Sequence, residues 1–481
     1  MQQDLMALLW SYLYVGAVVA VGEGAKRLGL STEFARKIIH VGVGFWIFGT
    51  FALFTNPLMA AIPPLTAAAG NWVIHKRGLL KATATEPENL GTVFFPISFA
   101  ILILLAWDEP VAVLGGVMAM TIGDAVAASA GMRWGKRTYT TLGGKTKSLE
   151  GSIAMFAGAW AAIWAVAGLD PAFMGLSLLA AMVATCAEAL GIKGRDNLWV
   201  PLSAGATLYF GLYLTQSMAD GLGAGALLAA SIGVLAWLKG SLTPSGVLGA
   251  IITGTLLFGL GGWTGGLALI AFFASSSLLS RLFRRRKQGV EEEYAKTGTR
   301  DLGQALANGG VAAAAILLMA VTRDIRWLGA ALGALAAANA DTWATELGVL
   351  SPTPPRLITT FRSVPAGTSG AVSLTGTLAA AAGAAFVGAA AGLTTPRLWP
   401  MLPWLTLAGL AGALLDSLLG ATVQGTYFCP TCQKETERRV HRCGTETALH
   451  KGLRWLGNDT VNLLATVMGA AVGFISGHFY Q

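Results

Sequence analysis

Charge is scarce in this sequence. Of 481 residues only 12% are Asp, Glu, Lys or Arg, while 54% are hydrophobic; a soluble domain carries roughly 25% charge. That deficit excludes an ordinary water-soluble fold, and the mean hydropathy of +0.61 points the same way. Strands that alternate apolar and polar residues are also missing. Their absence removes the closed barrel and leaves helices to satisfy the backbone in lipid. Cysteine is rare: of four, Cys186 stands alone in an apolar run and reads as a small buried side chain, while the other three cluster far along the chain. The first apolar run, Leu5 to Val21, lacks a clear small-residue cleavage site and is preceded by an acidic flank. It reads as a first span, not as a removed signal. Acids are outnumbered, 25 against 33 basic residues, for a net charge of +8. In a membrane protein that excess reports topology and not a nucleic-acid partner.

What the sequence has instead is a succession of apolar runs near the length that spans a bilayer, about 20 residues. Sixteen spans are expected, beginning near Leu5, Ile38, Leu58, Gly91, Val111, Ser148, Ala172, Leu198, Gly221, Pro244, Gly262, Gly303, Trp327, Gly367, Met401 and Asp459. Several are rich in Ala and Gly, which suits close helix packing in lipid. Threaded alternately, they put all but Arg323, Arg326 and Arg397 of the 33 basic residues on one face. That face is cytoplasmic by the positive-inside rule, and both termini are then expected outside. The expected fold class is an all-α polytopic membrane protein.

An acid inside an apolar run costs about 2.5 to 3.5 kcal/mol on insertion scales and is a functional candidate. Asp4 and Asp170 read more simply as interface pairs. Asp124 is different. It precedes a basic, glycine-rich loop, "GGKTKS", in which Gly143 and Gly144 free backbone N–H groups, Lys145 and Lys147 add positive charge, and Ser148 stands at a helix start. Those are parts for holding phosphate, although the spacing is not that of a Walker A motif. Phosphoryl transfer needs a divalent cation, carboxylates to hold it and cations on the phosphate oxygens. Asp124, Glu150 and Glu188, with Lys145 and Lys147, supply that set for Mg²⁺ and a nucleotide. A plain positive-inside loop would explain the lysines but not the flanking acids.

The pattern repeats. "GDAVAASAGMRWG" (Gly123 to Gly135) has a counterpart in "NADTWATELGVLS" (Asn339 to Ser351), and each places an Asp, Asp124 or Asp341, near the end of a span. "KTKSLEGS" is answered by "VPAGTSGAVS", Glu188 by Asp416 two spans later, and "GRDNLWVPLSAGA" by "GNDTVNLLATVMGA". Four matches in one order predict two related eight-helix bundles of the same orientation, with domains 1–219 and 220–481. By this correspondence Asp341 and Asp416 form the second acid pair.

The motifs also carry resemblances. "RKIIH" followed by "HVGVGFW", "GDAVAASAGMRWGK" and "KTKSLEGSIAMF", over about Ile38 to Phe210, resembles the phytol kinase and dolichol kinase family. That resemblance implies a membrane-embedded kinase of isoprenoid alcohols using CTP and Mg²⁺, with roles for Asp124, Lys147, Ser148, Glu150, Gly151, His40, Glu188 and Asp196. Asn197, beside Asp196, joins the phosphate-side set. His40 by itself reads as a structural histidine at a helix end. From about Leu238 onward, "GSLTPSGVLGAIITGTLLFG", "RDLGQALANGG", "ADTWATELGVLS", "LITTFRSVPAGTSGAVSLTG" and "LLDSLLGATVQ" resemble the integral membrane family that includes the plant phytyl-phosphate kinase. This implies a second site lined by Arg300, Gln304, Asn308, Asp341, Glu346, Arg362, Thr368, Ser369, Asp416, Asn458 and Asp459. There Arg356 and Arg362 replace the lysine loop, and arginine suits a substrate that already carries phosphate.

In the loop before the last span, about 425–458, Cys429-x2-Cys432-x8-His441-x-Cys443 has the spacing of a structural Zn²⁺ site, with His450 competing for the place of His441. The function expected is a bifunctional isoprenoid kinase of a bacterial-type cytoplasmic membrane, with its sites and Cys-rich loop cytoplasmic. The first half would phosphorylate phytol or a similar prenol, and the second would convert the monophosphate to the diphosphate. The partners are CTP or another nucleoside triphosphate, prenol, prenyl phosphate and membrane lipid. A lipid-phosphate transporter would place its polar residues nearer the midplane. A CTP-dependent cytidylyltransferase would release pyrophosphate in place of CDP.

Overall fold

The computed structural model describes residues 2–77, 89–141, 144–191, 193–282, 299–441 and 443–477. Residues 283–298, which continue the basic run that starts at Arg281, and the loop glycine Gly143 lie outside them. The chain divides into two compact units, Met1–Ala224 and Gly225–Gln481. The described residues are mostly helical. Among the described residues ten helical segments are long and apolar enough to cross a membrane, and Gly91–Ala106 and Pro244–Gly259 are shorter apolar helices. This is a polytopic membrane protein.

In the first unit the helices are α1 (Gln2–Arg27), α2 (Thr32–Leu53), α3 (Pro57–Arg77), α4 (Gly91–Ala106), α5 (Pro110–Trp134), α6 (Leu149–Val166), α7 (Met174–Leu190) and α8 (Asp196–Gly211). Helix α9 (Gln216–Leu238) follows. The second unit contains α10 (Pro244–Gly259), α11 (Gly262–Leu282), α12 (Leu302–Thr322), α13 (Arg326–Gly348), α14 (Leu374–Thr394), α15 (Leu402–Thr422) and α16 (Asn458–Ser476). Three small antiparallel sheets lie between helices: β1 (Thr138–Thr140) with β2 (Thr146–Ser148), β3 (Arg356–Leu357) with β4 (Ala371–Val372), and β5 (Thr426–Cys429) between β6 (Lys434–Thr436) and β7 (Ala448–Lys451).

Each unit is built around one enclosed helix. In the first it is α5, which starts with proline at its first turn and buries Val113, Val117, Met120 and Ala127. Small residues let neighbours approach: a side-chain carbon on Gly116 would meet the Pro201 carbonyl of α8 at 2.6 Å. In the second unit it is α13, buried continuously from Leu328 to Ala340. Gly329 and Gly333 sit against the backbone of Gly473 and Gly469 in α16. Helix α13 is not among those ten segments; its length suffices, but it carries Asn339, Asp341 and Glu346. Asn339 is fully buried yet satisfied, donating to the Gly383 carbonyl at 2.8 Å and accepting from Ser275 Oγ at 3.1 Å.

Most helices begin within a few residues of the expected span starts. The span expected from Gly367 is the largest shift, because its helix begins at Leu374. Gly367 and Gly370 hold φ of +97° and +81°, a left-handed conformation that glycine tolerates and a helix does not. The stretch between them is therefore loop.

The packing around the enclosed helices recurs. Asp124, Ala127 and Gly131 on α5 have the spacing of Asp341, Ala344 and Gly348 on α13; Ser148, Gly151 and Gly158 have the spacing of Ser373, Gly376 and Gly383. A side-chain carbon on Gly151 would meet the Ala127 carbonyl at 3.4 Å, and one on Gly376 would meet the Ala344 carbonyl at 3.4 Å. One on Gly158 would meet the Ile122 carbonyl at 3.5 Å, and one on Gly383 the Asn339 carbonyl at 3.1 Å.

Candidate functional site

Each unit gathers polar residues where its enclosed helix ends and the next helix begins. The start of α6 is set by Ser148, whose Oγ accepts from the Gly151 N–H at 3.1 Å. Ser373 caps α14 in the same way, accepting from Gly376 at 3.1 Å. These caps use one of the free N–H groups of each helix start. Ser148 and Gly151, expected to hold phosphate, are thus engaged with each other.

In the first unit Asp124 pairs with Lys37 of α2. His40, one turn along from Lys37, places Nε2 at 3.9 Å from Asp124 Oδ2. Its ring stacks on Phe95 at 4.1 Å, and Nε2 has no hydrogen-bond partner among the described residues. Lys147 pairs with Glu188, meeting both its carboxylate and its backbone carbonyl. Glu150 is elsewhere: its carboxylate accepts the N–H groups of Lys136 at 3.2 Å and Arg137 at 3.2 Å. Tyr139 on β1 is bonded to Ser152 at 2.7 Å, and burial pushes its hydroxyl up to about 12. Lys145 is half-buried, and its N–H donates to Thr141 Oγ1 at 3.2 Å. Asp196 and Asn197 open α8, and the Asn197 amide reaches the Gly194 carbonyl at 3.3 Å. The three acids therefore do not meet at one point, and each already has protein donors. That donor set does not fit a bound divalent cation without displacing Lys37 or the N–H groups that hold Glu150.

The second unit is different. A cavity of about 720 Å³ opens between its helices. Gln304 and Asn308 face it from α12, Asp341 and Glu346 from α13, Asp416 from α15, and Asn458 from α16. Thr368 and Ser369 face it from the loop before α14. Lys239, Arg281 and Arg300 bring positive charge. Of the residues expected at this site, Arg362 and Asp459 are not in the lining; Arg362 is exposed on the loop after β3. Arg300 lies over Phe272 and Phe273, 5.2 and 5.5 Å from their ring centres, and its Nη1 is buried without a partner among the described residues. Burial lowers its guanidinium to about 10, with nearby Glu346 opposing the shift. Glu346 accepts from Ser280 at 2.7 Å. Asp416 Oδ2 is likewise buried with no partner among the described residues. Buried unsatisfied charge of both signs in one cavity is costly unless a ligand answers it. Two carboxylates with phosphate oxygens are a usual way to hold Mg²⁺, so Asp341 and Asp416 fit that ion.

Sequence reasoning missed Lys37 at the first site and Lys239, Arg281, Gln424 and Glu437 at the second. Lys37 was visible as a basic residue three before His40, spacing that puts both on one helix face. Gln424 and Glu437 also line the second cavity; Gln424 ends the "LLDSLLGATVQ" motif without being singled out there, and nothing in the polar loop sequence marks Glu437.

Beside the cavity unit's last helix, Cys429, Cys432, His441 and Cys443 bring one ligand atom each within 4.8 Å of one another. This cluster can hold a metal ion. His441 Nδ1 lies 3.1 Å from Cys443 Sγ. Hydrogen bonds with Thr445 and His441 hold the Cys443 thiol down to about 6, where the thiolate forms readily. His450 is not in the cluster; it sits on β7 against Phe428, ring centres 6.1 Å apart.

A family model described as "Integral membrane protein DUF92" matches residues 227–470. The chain is 31% identical over 268 residues to Protein PGR of Arabidopsis thaliana, covering 50% of this chain and 91% of that protein. It is 30% identical over 228 residues to the Phytol kinase of Synechocystis, covering 44% of this chain and 97% of that protein. It is 29% identical over 247 residues to Protein VTE6, chloroplastic, of Arabidopsis thaliana, covering 50% and 66%. No solved structure matches.

Proposed function

This chain belongs to the DUF92 family of integral membrane proteins, and on that premise we propose that it is a bifunctional, phytol kinase-like enzyme. The first unit phosphorylates phytol or a similar prenol, and the second phosphorylates the resulting monophosphate. CTP is the proposed donor. The sixteen helices of the described residues are proposed as sixteen spans in two fused eight-helix bundles, with both sites cytoplasmic and both termini outside. The cysteine cluster is proposed to hold Zn²⁺ through Cys429, Cys432, His441 and Cys443, which matches the preference of zinc for a closed tetrahedral set.

One observation carries this reading: the chain holds two separate polar sites of opposite character. The first has Asp124 and Glu188 paired with lysines and suits an uncharged alcohol. The second is a charged cavity and suits a phosphorylated acceptor. In the first step Lys147 exchanges Glu188 for a phosphate oxygen, Lys145 adds a second cation, and Asp124 with Lys37 orients the acceptor hydroxyl. No part of that step is routed through a metal ion. In the second step Arg300, with Gln304 and Asn308 nearby, receives the phosphate of the lipid, and the loop of Thr368 and Ser369 faces the nucleotide. Mg²⁺ held by Asp341 and Asp416 would neutralise charge between the phosphates. The intermediate is an amphiphile that stays in the membrane, so a tethered second site sees it at raised effective concentration.

The test is to incubate the purified protein in liposomes with CTP, Mg²⁺ and phytol, farnesol or geranylgeraniol, and to identify products by mass. Prenyl mono- and diphosphate with CDP are expected. Pyrophosphate release would indicate a cytidylyltransferase. No transfer from any nucleoside triphosphate, with passage of intact prenyl phosphate across the vesicle, would favour a transporter.

A further inference from the structure

The cavity of the second unit has a wall that its helices do not make. Glu437 lines it, and Glu437 belongs to the cysteine-bearing ribbon, directly after β6. Strand β6 pairs with β5 from Cys429–Lys434 to Tyr427–Thr436. The turn joining the two strands carries Cys432, so the Cys/His cluster closes one end of this hairpin while Glu437 sits at the other. Between ribbon and helices stands Gln424, just after α15 and only 3% exposed. Its Nε2 donates to Glu437 Oε1 at 2.8 Å, and its Oε1 accepts from Ser369 Oγ at 3.1 Å. Lys451 of β7 reaches the Ala421 carbonyl, and the Gly425 N–H donates to the Leu456 carbonyl at 2.9 Å. The ribbon is therefore fastened to the end of α15, next to the loop that carries Thr368 and Ser369.

We infer that Glu437 is a functional acid of this cavity, a positioning charge for the divalent cation that accompanies phosphate, and that the metal-bound ribbon delivers it there. The lining acids are Asp341, Glu346, Asp416 and Glu437, against the cations Lys239, Arg281 and Arg300. A polyphosphate enters such a lining with divalent cations to answer the acids. Away from bulk water a further negative charge beside Asp341 and Asp416 strengthens cation binding. A second consequence is that the cluster is more than a local staple, because losing its metal loosens the hairpin that holds Glu437 and, through Gln424, Ser369. The inference rests on reading the cavity as the second phosphate-transfer site.

The experiment is Mn²⁺ titration of the purified full chain, read by electron paramagnetic resonance, with zinc content measured in parallel. Glu437→Gln keeps an oxygen for Gln424 and removes the charge. It is expected to weaken cavity Mn²⁺ binding about tenfold with zinc unchanged. Cys432→Ser is expected to lose zinc and to show a similar deficit. Should that variant not fold, Gln424→Leu retains zinc, uncouples Glu437 and is expected to show the same deficit. Asp341→Asn is the reference that abolishes cavity binding. If Asp341→Asn binds Mn²⁺ as wild type does, the cation reading of the cavity itself fails. If Asp341→Asn abolishes binding while Glu437→Gln matches wild type, the role given to Glu437 is overturned. A zinc-free Cys432→Ser, or a zinc-bearing Gln424→Leu, with wild-type affinity overturns delivery by the ribbon.

Discussion

The two units place an Asp at the same point of the same packing frame and then treat it differently. Asp124 meets Lys37, with His40 at 3.9 Å. Asp341 faces an open cavity with Asp416, whose Oδ2 has no partner among the described residues. The frame explains the shared position. Ala127 and Gly131, like Ala344 and Gly348, let the following helix start against the enclosed one, and Ser148 and Ser373 cap that start. The side chains explain the divergence. Lysines on α2 and β2 close the first site upon itself, while the second has arginine, amide and hydroxyl groups around a void. Repeated architecture therefore fixes where chemistry happens, and the neighbouring charges select what it acts on.

Removing one acid at a time separates the two sites by the largest effect. Asp124→Asn is expected to lower phosphorylation of the free alcohol by at least ~100-fold, a loss typical of one electrostatic group at a reacting centre. Conversion of added monophosphate should be unaffected. Asp341→Asn and Asp416→Asn should do the reverse, so that a sample fed alcohol stops at one phosphate. Products separated by mass decide it. If either class of variant stops both steps in folded protein, the two sites are not independent.

Next in size is the ribbon, which among the described residues has no counterpart in the first unit. The protein should carry about one zinc per chain by elemental analysis. Cys432→Ser should lose it and slow the second step by on the order of tenfold, the size of one lost charge-assisted contact. The first step should be unchanged. Zinc-free wild-type protein with full second-step activity would contradict this.

An effect of similar size separates the lysines. Lys147→Met leaves Glu188 without its cation, and both side chains are mostly buried, at 17% and 12% exposure. The first step should slow by roughly tenfold, about 1.4 kcal/mol, and the second should not change. An equal slowing of both steps would show that the loop serves the whole chain.

How much of this was legible beforehand follows from what each feature depends on. Apolar runs announce helices whatever their neighbours, so α1 to α16 lie close to the expected spans. The start of α14 was displaced because Gly367 and Gly370 turn the chain locally. Asp124, Asp341 and Asp416 stood out because a carboxylate in an apolar run is expensive. Which cation meets which acid is a tertiary fact: nothing local says that Lys147 finds Glu188, or that Glu150 holds the N–H groups of Lys136 and Arg137. Glu437 was invisible for the opposite reason, being one acid among many polar residues in a loop.

The finest test of the shared frame lies in the two caps. Ser148 and Ser373 each accept from the N–H three residues on, at the same 3.1 Å. Each lies beside a glycine of the enclosed helix: a side-chain carbon on Gly131 would stand 3.3 Å from Ser148 Oγ, and one on Gly348 would stand 3.9 Å from Ser373 Oγ. Replacing either serine by alanine removes the acceptor and leaves an N–H to find water. Such a change costs about 1 kcal/mol at a helix start. In local opening that is roughly a fivefold rise in amide exchange, expected at Gly151 for Ser148→Ala and at Gly376 for Ser373→Ala. The rise should be similar in both units and confined to the unit altered, because the cap is part of the frame and not of the chemistry. Hydrogen exchange of peptides covering 148–152 and 373–377 measures it. A large loss of protection in one unit and none in the other would mean that the two helix starts are held by different forces, and the resemblance between the units would then be one of sequence pattern alone.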